Sequence, residues 1–368
     1  MQQTSVPADS YMDILSRLPE GVDLDALAVS TKAIKRQRRV GNGTTLLRLA
    51  LARGPGGMSL NQTAAWAAMS GLAQLSDPAL KKRLDNAVPF LKALMEQQLA
   101  ALSDSRAICW PGRTLRLVDG TNIKKPGSKG TDWRVHAGFD LGTGRFSHLE
   151  LTDHHGAESL QRGAPEAGEI RIGDRNYARA KALSQLREDS AGQADFIVRV
   201  RWKAFKLSLP GGAAFDLIGH LRALPDAAGP HEVAVCAQVN KQQTLPLRLI
   251  VLRKTPEQTE KTQQQLKRQA PRKQKKLDPR SLVAAGFIVL ATSLPIGGYP
   301  AEQVLAAYRL RWQIELAFKR LKSLLHIDRL PTRTDAASRS WLYAHLILAL
   351  LCDDLSQEFL ESSPSGPH

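Results

Sequence analysis

Tyr308, Arg311, Glu315 and Lys322 are separated by two, three and six residues, and the stretch that carries them, Ala301 to Ile327, is predicted to form one long amphipathic helix. At about 100° per residue, these four side chains fall within about 60° of one another, with Trp312 and Lys319 beside them. The opposite arc holds Leu310, Ile314, Ala317, Phe318, Leu321, Leu324 and Leu325. A single carboxylate among cations and an aromatic ring suits a metal ligand next to an anionic substrate. The same face also fits a solvated surface crossed by ordinary helix salt bridges. The other carboxylates of the chain must decide between the two.

Two aspartates answer to Glu315. LRLVDGTNI, Leu115 to Ile123, reads as a strand ending around Asp119-Gly120-Thr121. In EIRIGDRNY, Ile170 and Ile172 form a short strand with Asp174 at its end. Asp is a common turn former at strand ends, so each is a weak signal alone. Together with a Glu on a later helix they make a set. Three carboxylates can hold two divalent cations, which activate a water or a 3′-hydroxyl and stabilise the leaving oxygen of an in-line phosphoryl transfer. Carboxylate oxygens suit Mg²⁺, a hard ion, with Mn²⁺ as a substitute. Surrounding Arg and Lys side chains would hold phosphates.

Composition agrees with a polyanionic substrate. The chain has 368 residues, 43% hydrophobic and 23% charged, which fits a globular protein of two or three domains. Its formal net charge of +16 favours nucleic acid as partner. No apolar run approaches the roughly 18 residues of a membrane span, and MQQTSVPADSYMDIL lacks the pattern of a signal peptide. Cys109, Cys236 and Cys352 are odd in number and far apart, which argues against a zinc site or a disulfide framework and for a cytoplasmic protein. The GPGG at Gly54 to Gly57 lacks the Lys and Ser/Thr of a phosphate-binding loop, so ATP use is not supported. His154 and His155 are adjacent and would point to opposite faces of a strand, a poor metal pair.

The elements that must position the carboxylates follow from periodicity. Residues 1–105 read as helices: Tyr11 to Leu18; Leu24 to Val40, ending in the basic run Lys32, Lys35, Arg36, Arg38, Arg39 and closed by Gly41 and Gly43; Thr44 to Arg53; Leu60 to Met69 capped by Ser59; and a helix opened by Ser76-Asp77-Pro78 that kinks or breaks near Pro89. The basic runs suggest DNA contact, and a packing bundle is the plainer alternative. From Thr114 the pattern alternates. Trp133 to Leu141 and Arg145 to Thr152 form two further strands of an antiparallel meander, a helix begins near Ala178, and Phe196 to Trp202 is the next strand. Residues 203–284 carry strand pieces at Phe205 to Leu209, Glu232 to Val239 and Leu245 to Leu252. They also carry a basic segment from Thr255 to Arg280, either a phosphate contact or a solvated helix or loop. Phe287 to Leu294 is a strand, and Ser338 to Leu355 a last apolar helix.

In combination these motifs resemble the DDE transposases of bacterial insertion sequences, of the IS-four type with a Tyr-Arg-Glu-Lys signature. Tyr308, Arg311, Glu315 and Lys322 match that signature without departure, LVDGT matches its first Asp motif, and IGDRNY its second. The likeness covers roughly residues 60–350. It implies an α/β fold: a ribonuclease-H-like catalytic core, a mixed sheet with flanking helices, in two parts at 106–202 and 285–355. A β-rich insertion at 203–284 would interrupt the core, a helical DNA-binding region at 1–105 precede it, and a disordered tail at 356–368 follow. Asp119, Asp174 and Glu315 would ligate two Mg²⁺ ions. Tyr308, Arg311 and Lys322 would contact phosphates near the cleaved end. By position alone, Trp312 and Lys319 on the same helix face and Arg199 on the strand after Asp174 are further candidates for DNA contact, and Arg175 beside Asp174 either touches DNA or simply pairs with a carboxylate. Trp202 would stack on a flipped base or simply pack the insertion. The implied activity is binding of terminal inverted repeats, strand cleavage and joining of the 3′-hydroxyl to target DNA, by a homodimer in a synaptic complex. A catalytically silent DNA-binding remnant and a nuclease of the same fold without strand transfer are the alternatives.

Overall fold

The computed structural model describes residues 15–35, 40–101, 110–226, 229–272, 274, 276–325, 327 and 330–362, with backbone alone for 100–101, 272, 316, 320–325 and 353–362. Helix α1 spans Leu24–Ser30 and stops far short of Val40. The Thr31 hydroxyl turns back to the Leu27 carbonyl at 2.7 Å, and Lys32 takes a left-handed φ of 60°, which a continuing helix cannot accept. Tyr11 to Ile14, the basic residues Arg36, Arg38 and Arg39, and Cys109 lie outside the described residues.

Gly43 opens the next helix, α2 (Gly43–Arg53), instead of closing the previous one. Asn42 caps it by accepting from the Thr45 amide at 2.8 Å. A side chain at position 43 would put its Cβ 2.1 Å from the Leu24 carbonyl oxygen, so only glycine allows α1 and α2 to meet. Helix α3 (Leu60–Met69) starts with a reciprocal capping box. Gln62 N donates to Ser59 Oγ at 3.1 Å, and Ser59 N donates to Gln62 Oε1 at 2.8 Å. Ser59→Ala should therefore cost about 1 kcal/mol, read from the denaturant midpoint, and Ser59→Gly only a few tenths. Helices α4 (Asp77–Asn86) and α5 (Val88–Ala101) follow, separated at Ala87.

The sheet begins with β1 (Thr114–Ile123), β2 (Trp133–Asp140), β3 (Arg145–Asp153) and β4 (Glu169–Gly173). Then come α6 (Ala180–Asp189), β5 (Asp195–Arg199), β6 (Leu207–Ser208), α7 (Leu217–Ala223), β7 (Pro230–Gln238) and β8 (Thr244–Arg253). The chain continues through α8 (Pro256–Arg272), α9 (Pro279–Ala285), β9 (Phe287–Thr292), α10 (Ala301–Arg309), α11 (Trp312–Leu325) and α12 (Asp335–Ser362). The nine described strands form one mixed sheet in the order β3-β2-β1-β4-β5-β9-β8-β7-β6. Strands β1, β4 and β5 are mutually parallel; every other neighbouring pair is antiparallel. The stretch expected as a β-rich insertion holds three helices as well as β6 to β8. Those strands extend the main sheet, with β9 as the bridge back to β5. The first part of the basic segment is the helix α8, on which Lys261, Lys267 and Arg268 are all exposed.

Alternation along the strands sorts side chains into two apolar layers. In β5, Ile197 joins one layer while Phe196 and Val198 join the other. The first layer is continuous from the N-terminal helices across Leu115, Leu117, Ile170 and Ile172 to Leu342, Leu346 and Leu350 of α12. Helix α12 packs against α2, α4 and α5, so the N-terminal helices share a core with the end of the chain. The second layer joins Leu183 and Leu186 of α6 and Leu221 of α7 to Leu249 and Val251 of β8.

Two expectations fail in this half. The helix expected over 301–327 is broken at Leu310-Arg311. There Leu310, Arg311 and Gln313 amides donate to the carbonyls three residues back, at 3.0–3.1 Å, a tighter 3₁₀ turn. The tail expected to be disordered from 356 continues as helix to Ser362. Among the described residues no helix is long and apolar enough to cross a membrane.

Candidate active site

The parallel part of the sheet is short, and both aspartates stand just beyond it. β1 pairs with β4 only over Thr114–Leu117 against Glu169–Ile172. Beyond Leu117, β1 continues to Ile123 against β2 alone, with Asp119 opposite Ala137. Asp119 is thus inside a strand, not at its end as the sequence suggested. It lies at the point where the parallel partner has stopped, because the run VDGTNI keeps antiparallel bonds to β2. Asp174 follows the last residue of β4. Two carboxylates are thereby delivered just past the C-terminal end of the parallel β1–β4 pairing, the edge at which open α/β sheets place their ligands.

Their electrostatics show the crowding. Burial, and then the nearby Asp174 and Glu158, push the Asp119 carboxyl up to about 6, against the opposing pull of the Gly120 amide and the Arg311 guanidinium. Asp119 Oδ1 accepts from Gly120 N at 2.8 Å. Asp174 Oδ1 accepts from Asn176 N at 2.6 Å, and Asn176 Oδ1 in turn accepts from Arg201 Nη2 at 2.7 Å. Tyr177 closes the turn. Its ring is 1% exposed and packs on Gly173, where an added Cβ would come within 2.8 Å of Tyr177 Cβ. The phenolic oxygen is buried and has no hydrogen-bond partner among the described residues. Burial first, then Asp119, Glu158 and Asp174, drive its ionisation far up.

The break between α10 and α11 positions the cationic side. In a 3₁₀ turn, residues three apart eclipse, which sets the Arg311 guanidinium over the Tyr308 ring at 5.9 Å. Arg311 Nη1 pairs with Glu315 Oε1 at 2.7 Å. Arg311 is therefore coupled both to Asp119 and to Glu315. Ile314, Ala317 and Phe318 anchor α11 to the core, while the Glu315 side chain is 54% exposed. Arg175 and Arg199 are depressed by burial and next influenced by the charged groups around them: Arg199 and Tyr308 for Arg175, Tyr308 and Arg311 for Arg199. Lys254, just past the end of β8, is pushed down to about 8 by burial and then by Arg199 and Arg175.

The structure thus brings together Asp119, Asp174, Arg175, Arg199, Tyr308, Arg311 and Glu315. Among the described residues no three His, Cys, Asp or Glu side chains already converge as a metal cage, and Glu315 is paired with Arg311. The donor set nevertheless fits a hard divalent cation. It consists of carboxylate oxygens, and its negative charge is under-compensated at Asp119. Trp312 and Lys319 are exposed on α11, and the Lys322 side chain lies outside the described residues. Trp202 donates to Ser281 Oγ at 3.2 Å and carries Lys203 and Arg280 over its ring, at 4.5 and 4.6 Å. Sequence reasoning missed Glu158, the Tyr177 hydroxyl, Arg201 and Lys254. Only Tyr177 carried a signal, as the last residue of IGDRNY.

Comparison with known proteins gives this geometry a context. The family described as Transposase DDE domain matches residues 110–351. The chain is 42% identical over 361 residues to the transposase for insertion sequence element IS421 of Escherichia coli, covering 97% of this chain and 96% of that one. It is equally similar, over 360 residues with the same coverage, to InsL of insertion sequence element IS186A of Escherichia coli (strain K12). The transposase for IS231D of Bacillus thuringiensis subsp. finitimus is 25% identical over 369 residues, covering 89% and 76% of the two chains. Among solved structures, the piggyBac transposase synaptic complex with hairpin DNA aligns over 96% of this chain and 75% of that one, with a TM-score of 0.44 and 10% identity.

Proposed function

The chain belongs to the insertion-sequence transposases built on the transposase DDE domain, and from that premise we propose that Asp119, Asp174 and Glu315 form its catalytic centre. It is an enzyme of DNA transposition that cleaves and joins DNA strands. The family works with divalent metal, and here we assign two Mg²⁺ ions, replaceable by Mn²⁺, to the three carboxylates. When bound, the metal supplies Lewis acidity and a nucleophile of lowered pKa. The protein groups do the rest. Asp119 and Asp174 are presented from a rigid sheet, which fixes the spacing of their oxygens. Arg311 holds Glu315 until the negative charge of DNA draws the guanidinium to a phosphate, which leaves the Glu315 carboxylate for the cation. Tyr308 supports Arg311 from below. Arg175, Arg199 and Lys322 grip phosphates flanking the scissile one, with Trp312, Lys319 and Trp202 further along the strand.

The observation that carries this reading is the pair Asp119 and Asp174 just past the end of the parallel β1–β4 pairing, with Arg311, which pairs with Glu315, acting on Asp119 from the break before α11. We assign the ribonuclease-H-like class to the sheet segment β3-β2-β1-β4-β5 on the same ground. The N-terminal helices and α8 would bind the terminal inverted repeats and target DNA, in the cytoplasm, as a homodimer bridging two ends.

The test is incubation of the full chain with DNA carrying the ends of its own element. Nicking is expected with Mg²⁺ or Mn²⁺ and none with EDTA, while a gel shift persists in both. Joined products should then appear with added target DNA. Cleavage in EDTA would overturn the metal assignment, and cleavage without joining would leave a nuclease.

A further inference from the structure

We propose that the connection between β1 and β2, residues 124–132, is a phosphate-binding arm that grips a DNA strand beside the active site through Lys124 and Lys129. This rests on the reading that Asp119 and Asp174 act on DNA. β1 carries Asp119 past the end of its parallel pairing and continues to Ile123, where the connection begins. At about 3.3 Å per residue, Ile123 lies roughly 13 Å beyond Asp119, on the same strand and off the same edge of the sheet. From Lys124 to Thr131 the sequence KKPGSKGT holds three lysines and no acid. Lys124 and Lys129 are exposed, and among the described residues neither side chain makes a hydrogen bond or an ion pair.

The arm is set before any ligand arrives. Ser128 N donates to the Lys125 carbonyl at 3.0 Å around Pro126 and Gly127, and Gly127 takes a φ of 79°. Proline followed by a left-handed glycine is the signature of a type II turn, which has little freedom. Asp132 closes the base: its carboxylate accepts from Lys125 N at 2.9 Å, and its own N donates to the Ile123 carbonyl at 3.1 Å. Lys125 is the anchor. Its Nζ donates to Asp335, in the first turn of α12, at 2.7 Å. Lys125 and Arg339 of α12 also lie over the ring of the buried Trp133, at 5.7 and 4.7 Å. One lysine thus ties the arm to the core, and the two on either side of the turn keep their charge uncompensated.

Rigidity and charge together point to a ligand. Two lysines stay solvated equally well on a slack loop, so solubility does not account for the turn, its closed base and the anchor. Binding does: a backbone already held in place gives up less freedom when its cations meet a stiff polyanion. The net charge of +16 favours DNA as that polyanion. Lysine ammonium groups are point charges that suit phosphate oxygens, and phosphate contacts fix register without reading bases. The arm therefore positions the strand relative to Asp119 and leaves the choice of sequence to other elements.

The measurement is binding of DNA from the element's own ends by the full chain in EDTA, followed by fluorescence anisotropy between about 50 and 200 mM KCl. Lys124→Gln and Lys129→Gln should each reduce the slope of log affinity against log salt by about 0.9, and the double variant by about 1.8. With one neutral methylphosphonate in the DNA, the position that weakens the parent should have no effect in the matching lysine variant. Gly127→Ala keeps every charge but puts a side chain at positive φ, so it should weaken binding about threefold with the slope unchanged. Lys241→Gln, in the β7–β8 turn at the opposite edge of the sheet, should leave the slope alone. Parental slopes in both Lys124→Gln and Lys129→Gln overturn the arm and leave the acidic site standing. An equal fall in Lys241→Gln overturns it too, because net charge alone then accounts for the effect. Failure of the parent to bind end DNA overturns the arm and the reading of the site together.

Discussion

Asp119→Asn should lower strand cleavage by about 10³-fold or more and, in the same protein, raise the stability of the metal-free chain at neutral pH. The first effect follows, on the proposed assignment, from losing an anionic ligand, since a loss of about 4 kcal/mol of transition-state stabilisation is about 10³ in rate. The second follows from the carboxyl being held up to about 6. Below the unfolded value of about 4 it is protonated in both states and costs nothing. As the pH rises from about 4 to about 6, the unfolded chain ionises freely while the folded one resists, and stability drains away. Above about 6 the loss is complete, on the order of 2–3 kcal/mol, and Asn does not suffer it. Chemical unfolding in EDTA at about pH 4.5 and about pH 7.5 should show a gap between variant and parent that widens with pH. Saturating Mn²⁺ should reverse the order, because only the parent gains from binding. A variant less stable than the parent in EDTA at about pH 7.5 would contradict the crowding on which the site is built.

Arg171→Ala should be among the most destabilising single changes in the sheet, at about 3–5 kcal/mol. Arg171 is 1% exposed, and Glu169, which it grips at 2.9 Å, is fully buried. Arg116 reaches the same carboxylate at 2.8 Å, so one charge is compensated by two. Removing Arg171 also strands four carbonyls of the β3–β4 connection. Adding Glu169→Gln to Arg171→Met should recover part of the loss by removing the stranded charge. Hydrogen exchange resolved to residues 156–166 should accelerate in Arg171→Ala ahead of the rest of the sheet. A loss below about 1 kcal/mol would mean that Arg116 alone satisfies Glu169.

Local patterns made much of this legible. Ser59 with Gln62 announces the start of α3, and the alternation in β2 and β3 announces the meander, because both are set by neighbours in sequence. The two aspartates are legible as a pair only when Glu315 is added. What escapes is whatever depends on partners far along the chain. Asp119 reads as a strand end because nothing local says that β2 outlasts β4 beside β1. The break at Leu310-Arg311 escapes because the apolar period runs through it unbroken, while the backbone tightens to bring Arg311 against Tyr308. Glu158 looks like any polar loop residue, since what fixes the loop is Arg171, an arginine hidden in the apolar strand EIRIG.

The order of strands in the sheet has a consequence for how the protein is made. Strand β5 finds its outer neighbour only in β9, which the ribosome delivers after the whole of β6 to α9. At about 5–20 residues per second, the interval between Arg199 and Phe287 lasts roughly 4–18 s. During it β5 is a bare edge, open to mispairing. Both aspartates are already emerging on the nascent chain at that stage, and Glu315 is not yet translated. On the proposed assignment, a chain arrested midway carries the sheet that receives DNA but lacks the third acid. On that assignment, translation order keeps an unfinished chain from completing the acid set until the Glu315 helix has been made.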